Sequence, residues 1–81
     1  MREDINFPQF RRYKNGQRYY KIINNSSFEE IQIIGSKTIV NTMEAKILPD
    51  KQLIMDLLHN YHDFAESVEE TEYLRIKNKT S

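Results

Sequence analysis

Polar and apolar positions change period once along this chain. Up to residue 47 the pattern is of period two, the mark of strands with one buried face. Phe28 to Ile34 alternates, with Ile31 and Ile33 on one side and Phe28, Glu30 and Gln32 on the other. After Gly35-Ser36 the alternation resumes. Ile39, Met43, Ala45 and Ile47 share one side, and mostly polar Thr38, Val40, Thr42, Glu44 and Lys46 the other. Pro49 cannot donate into a ladder and ends the run. Beyond it Leu53, Ile54, Leu57, Leu58, Tyr61, Phe64, Ala65 and Val68 recur at helical spacing, which predicts a helix over 50–66 with Asp50 as its N-cap.

Earlier, Tyr13-Lys14-Asn15-Gly16-Gln17-Arg18 reads as a hairpin. Asn-Gly favours a type I′ turn, in which both central residues take positive φ. A two-residue loop sets Arg12 opposite Tyr19, Arg11 opposite Tyr20 and Phe10 opposite Lys21. At the other end, Ser67-Val68-Glu69-Glu70 has the form of a capping box and suits a short helix to about Asn78. Thr71 to Lys77 also alternates and suits a final strand, so both readings stand. The expected fold is α+β. A tail (1–8) precedes a small antiparallel sheet (9–48), made of the N-terminal hairpin and two further strands. One amphipathic helix (50–66) packs on it, followed by a short helix or strand (67–81). The expected core is Ile31, Ile33, Ile39, Met43, Ala45, Ile47, Leu53, Ile54, Leu57, Leu58, Tyr61 and Phe64, closed by Val68, Leu74 and Ile76.

At 81 residues there is room for one domain and one modest core. Absence of cysteine excludes a disulfide scaffold and thiolate chemistry. The first residues lead into no apolar run, and no stretch has the ~20 apolar residues of a membrane span. A cytoplasmic protein without a membrane partner is the expectation. Ile, Lys and Asn abound, which suits an A/T-rich microbial or phage source.

The net charge of zero conceals a strong asymmetry. Residues 1–25 are basic and residues 50–74 acidic, with a short basic end. In the hairpin, Arg11, Arg12, Lys14, Arg18, Tyr19 and Tyr20 alternate cations with rings. Such a ribbon is a candidate grip for RNA or single-stranded DNA. Equally, its cations and rings pair across the strands, a purely structural use. On the acidic side, Asp63, Glu66, Glu69 and Glu70, with Glu72, form a block that a basic partner would meet, or that mimics phosphates. Placed in a first helical turn, Glu69 and Glu70 also complement the helix dipole.

His59, His62 and Asp63, with Glu66, fall at spacings that would place them on one helix face, where they are the residues that would share a divalent ion. Without thiolates or a fourth ligand no metal is assigned, and no cofactor. The two glycines leave no phosphate-cradling loop, and neither G-x-S-x-G nor H-E-x-x-H occurs. A metal-independent ribonuclease toxin, using the hairpin with His59 or His62, is an alternative; otherwise no catalytic residue is assigned. The class that remains is a non-catalytic protein-interaction module with a larger protein partner. One form is a small inhibitor of a nucleic-acid-handling machine, of the kind phages direct against host defences. Oligomeric state is left open.

Overall fold

In the computed structural model, which describes residues 6–79, five antiparallel strands form one sheet with a helix on each face. Strands β1 (Gln9–Tyr13), β2 (Arg18–Asn24), β3 (Ser27–Ile34) and β4 (Lys37–Glu44) run as a meander. Helix α1 (Leu48–His59) follows, then β5 (Ala65–Ser67) and helix α2 (Glu70–Lys77). The strand order is β4-β3-β2-β1-β5, so β5 adds to the outer side of β1. An α+β fold with an N-terminal hairpin is what the sequence pattern leads one to expect.

The hairpin register is the expected one, with Arg12 opposite Tyr19, Arg11 opposite Tyr20 and Phe10 opposite Lys21. Its turn is not. Only Gly16 takes positive φ, at 74°, and its N–H donates to Tyr13 O at 2.8 Å. Asn15 keeps negative φ and instead accepts from the Gln17 N–H through its side chain, at 2.9 Å. Asparagine commonly closes turns by such a bond to the backbone two residues on, and here this replaces the type I′ geometry.

The chain departs most from the sequence pattern between residues 45 and 70. Helix α1 begins at Leu48, two residues before Asp50, because Pro49 fits the first helical turn, where no N–H is needed. It ends at His59 rather than 66. Beyond it the Phe64 and Ala65 N–H groups both donate to Tyr61 O, and the chain turns into β5. There Ala65, Glu66 and Ser67 pair with Tyr13, Arg12 and Arg11. The apolar stripe Phe64–Ala65–Val68 is genuine, but its backbone serves the open edge of β1. The Lys14 N–H donates to Phe64 O and the Val68 N–H to Phe10 O, on either side of the new strand. Residues 70–77 are helical. Glu69, in extended conformation, holds the N-cap, and the Ser67 capping box does not form.

Two clusters make up the interior. Beneath α1 lie Tyr20, Ile22, Phe28 and Ala45 of the sheet side, with Ile54, Leu57, Leu58 and Ala65. On the opposite face Phe10, Tyr19 and Ile31 enclose Tyr73 of α2. A one-faced reading cannot find both. It leaves out Phe10, Tyr19, Tyr20, Ile22, Phe28 and Tyr73, all buried. Conversely Ile39, Met43, Ile47 and Leu74 of the expected core stand exposed. Ile33, Leu53, Tyr61, Phe64, Val68 and Ile76 are partly buried at the cluster margins.

Candidate interaction surfaces

Most of the hairpin's side chains are engaged inside the fold. Strand alternation sends Arg11 under α1 and Arg12 to the opposite face. Arg11 is only 5% exposed. Its Nε donates to Leu57 O at 2.8 Å and its Nη1 to Phe10 O at 2.9 Å, while its guanidinium lies 4.2 Å from the centre of the Tyr61 ring. The cation thus ties the last turn of α1 to β1. Burial lowers its pKa, with Tyr61 acting in the opposite direction, and an arginine remains charged all the same.

Tyr20, which pairs with Arg11, is buried with its ring 5.3 Å from Tyr13 and 5.9 Å from Phe28. Its hydroxyl donates to Glu30 Oε2 at 3.0 Å, and Arg18 Nη1 reaches the same oxygen at 2.9 Å. Glu30 is thereby a buried carboxylate held by two donors, which a buried acid requires. Burial, more than any neighbour, pushes the Tyr20 phenol far above its usual range, so it stays a donor at every physiological pH.

On the other face the two charge blocks of the sequence meet. Arg12 Nη2 lies 2.8 Å from Glu66 Oε1, and its Nη1 lies 3.6 Å from Glu72 Oε2. The Tyr19 hydroxyl donates to Glu72 Oε2 at 3.2 Å. Next to this group, Glu29 accepts from the Tyr73 hydroxyl at 2.8 Å and from Lys77 Nζ at 3.1 Å. Burial raises the Glu29 pKa, but the hydrogen bonds from Tyr73 and Lys77 outweigh it and the net shift is downward. Partnering within the molecule therefore quenches much of the asymmetry that the sequence displays. Of the six ribbon candidates, only Lys14 is exposed. Arg12 and Arg18 are partly so, and Arg11, Tyr19 and Tyr20 are buried.

The acidic candidates come from three consecutive segments of the chain. Glu66 points to Arg12 from β5, Glu69 and Glu70 stand exposed at the start of α2, and Asp63 lies in the turn before β5. Ending α1 at His59 likewise removes the shared helix face proposed for His59, His62 and Asp63. All three line a shallow depression with Asn60, His62 stacking on Tyr61 at 4.2 Å between ring centres. Among the described residues no group of three or more His, Asp or Glu side chains is placed to hold a metal ion.

A second surface was not singled out by its sequence. β4 is an eight-residue edge strand, and among the described residues no strand pairs with its outer side. It carries no proline and no register shift against β3. Cross-strand pairing sets Met43 beside Phe28, and so places Ile39, Asn41 and Met43 on the α1 face, together with Ile34 of β3. Yet Ile34, Ile39 and Met43 are 52%, 41% and 39% exposed, because α1 does not cover this margin of the sheet. Ile47 and Leu48, which follow β4 in the chain, are exposed as well. By contrast β5, at the opposite edge, has three residues, too few to template a long pairing.

Comparison of the chain with protein-family models, with curated proteins and with solved structures yields no match.

Proposed function

We propose that this chain is a non-catalytic protein-interaction module whose contact surface is the outer edge of β4 with the apolar residues beside it. The supporting observation is the combination found there. A long, regular, proline-free edge leaves a row of backbone donors and acceptors open, and exposed Ile34, Ile39 and Met43 stand next to it. Natural proteins usually blunt such an edge with charge, proline, a bulge or a covering element. Thr38 to Met43 contains no charged residue, proline or bulge, and among the described residues no strand covers it. An extended strand added to this edge gains main-chain hydrogen bonds, while Ile39 and Met43 supply side-chain selectivity. An adaptor and a small inhibitor of a larger protein both use such a surface.

Site-specific photo-cross-linking in nuclease-treated lysate tests this reading. A cross-linking residue at Thr42 is expected to capture protein, and one at Lys14, on the hairpin tip, to capture little. Capture from Lys14 alone, with nucleic acid recovered when nuclease is omitted, would overturn it in favour of the basic hairpin.

A further inference from the structure

The β4 edge is complementary to itself. Resting on the interaction-module reading, we infer that its occupant is a second copy of this chain. The two β4 strands pair antiparallel about a two-fold axis at Asn41, joining the two sheets into one.

The backbone decides which residues are available. The Ala45 N–H donates to Ser26 O at 2.7 Å, and this pair continues the β3–β4 register that sets Ser27 opposite Glu44. Main-chain groups in an antiparallel ladder alternate in direction. Odd-numbered residues of β4 thus direct their N–H and C=O at β3, leaving those of Thr38, Val40, Thr42 and Glu44 pointing outward. A second copy can bond only by setting even-numbered residues against even-numbered ones. Every such register keeps the α1 faces of both sheets on one side.

Among these registers, the one centred on Asn41 pairs Val40 with Thr42 and Thr38 with Glu44 of the second copy. On the α1 face it sets Ile39 against Met43, once on each side of the axis. Shifting the centre to Val40 would oppose Met43 to Lys37 and Ile39 to Asn41, and shifting it to Thr42 would oppose Ile39 to Ala45. Only the Asn41 register brings the two exposed apolar side chains of the edge together. Asn41 then faces its own copy, and an amide holds both a donor and an acceptor, so two can exchange hydrogen bonds. The strand's two charges, Lys37 and Glu44, sit at its ends and on opposite faces, so in this register neither faces a like charge. An edge roughly 27 Å long does not by itself reach the ~800 Å² per partner of a stable interface. Exposed Ile34 lies opposite Lys37 in β3, and exposed Ile47 and Leu48 follow the strand in the chain.

A charge exchange at the axis tests the inference by light scattering on the full chain. The unaltered chain is expected to give twice its mass of 9.8 kDa at micromolar concentrations. Asn41→Asp and Asn41→Lys each place like charges face to face, weakening association by roughly tenfold or more. Asn41 is exposed, so circular dichroism should show both variants folded. An equimolar mixture of the two is expected to recover the dimer, because Asp then faces Lys. A chain monomeric at all these concentrations, or a dimer indifferent to residue 41, would overturn the inference. A monomer that still cross-links other proteins from Thr42 would overturn self-pairing alone. Cross-links confined to Lys14 would overturn the module reading with it.

Discussion

The β1–β2 hairpin and the β4 edge teach opposite lessons about what a sequence advertises. The hairpin concentrates arginines and tyrosines and looks like a binding surface. Folded, it holds the molecule together: Arg11 joins β1 to α1, Tyr20 and Arg18 satisfy a buried Glu30, and Arg12 anchors β5 and α2 through Glu66 and Glu72. β4 reads as an ordinary strand of threonine, isoleucine, valine, asparagine and methionine. Its apolar residues find no cover within the described residues, and its backbone edge stays open. Side chains rich in chemistry are mostly engaged internally, while among the described residues a bland strand keeps one edge unpaired.

The contrast breaks most sharply at Tyr73. It is fully buried against Phe10, Tyr19 and Ile31 of the sheet, so Tyr73→Ala should destabilise the fold by about 3–5 kcal/mol in urea denaturation, a large fraction of what a domain this small possesses. A near-normal midpoint would mean that α2 is not a true layer of the core. Arg11→Met keeps the aliphatic stem but deprives Leu57 O and Phe10 O of their donor; a loss of about 2–3 kcal/mol is expected. If Arg11 were a ligand-contacting residue instead, its replacement would leave stability nearly unchanged.

Acid should loosen the α2 face through Glu29. Its folded pKa lies below its ordinary 4.5, so its contribution is complete above about pH 4.5 and is lost as pH falls through the folded value. Denaturation of the unaltered chain and of Glu29→Gln between pH 6 and pH 3 should therefore converge toward the acid end. Parallel curves would show that the Tyr73–Glu29–Lys77 group contributes nothing to stability.

Two smaller effects sharpen the comparison. Ile39→Thr is expected to alter monomer stability by no more than ~0.5 kcal/mol, since the side chain is already partly in water, yet to weaken association measured by sedimentation. Lys14→Ala, at the exposed hairpin tip, should change neither stability nor association.

The sequence made the hairpin register readable because Asn-Gly pins it, and it made the strand alternation of β3 and β4 readable because their polar and apolar residues separate cleanly. What it hid follows from the second helix. With α2 on the face opposite α1, Phe28 and Ile31 are both interior despite pointing opposite ways, and a one-faced sheet cannot accommodate that. The stripe through Phe64 and Ala65 keeps helical spacing although its backbone adds to β1, because a short strand needs only one small residue, Ala65, to pack. Ile39 and Met43 show the reverse case. Their alternation marks a genuine apolar face, and the structure leaves that face uncovered. As for the candidate sites, the basic and acidic blocks were visible as charge, but their mutual pairing requires residues 53 or more positions apart to meet, as Tyr19 and Glu72 do.

Amide hydrogen exchange, followed residue by residue at low and high protein concentration, tests the central claim most directly. The account predicts that the outward amides of Thr38, Val40, Thr42 and Glu44 exchange freely when dilute and become protected on concentration, while those of β1 and β2 are slow throughout. Outward β4 amides that exchange freely at every concentration, or protection that instead appears in the hairpin on adding an oligonucleotide, would contradict it.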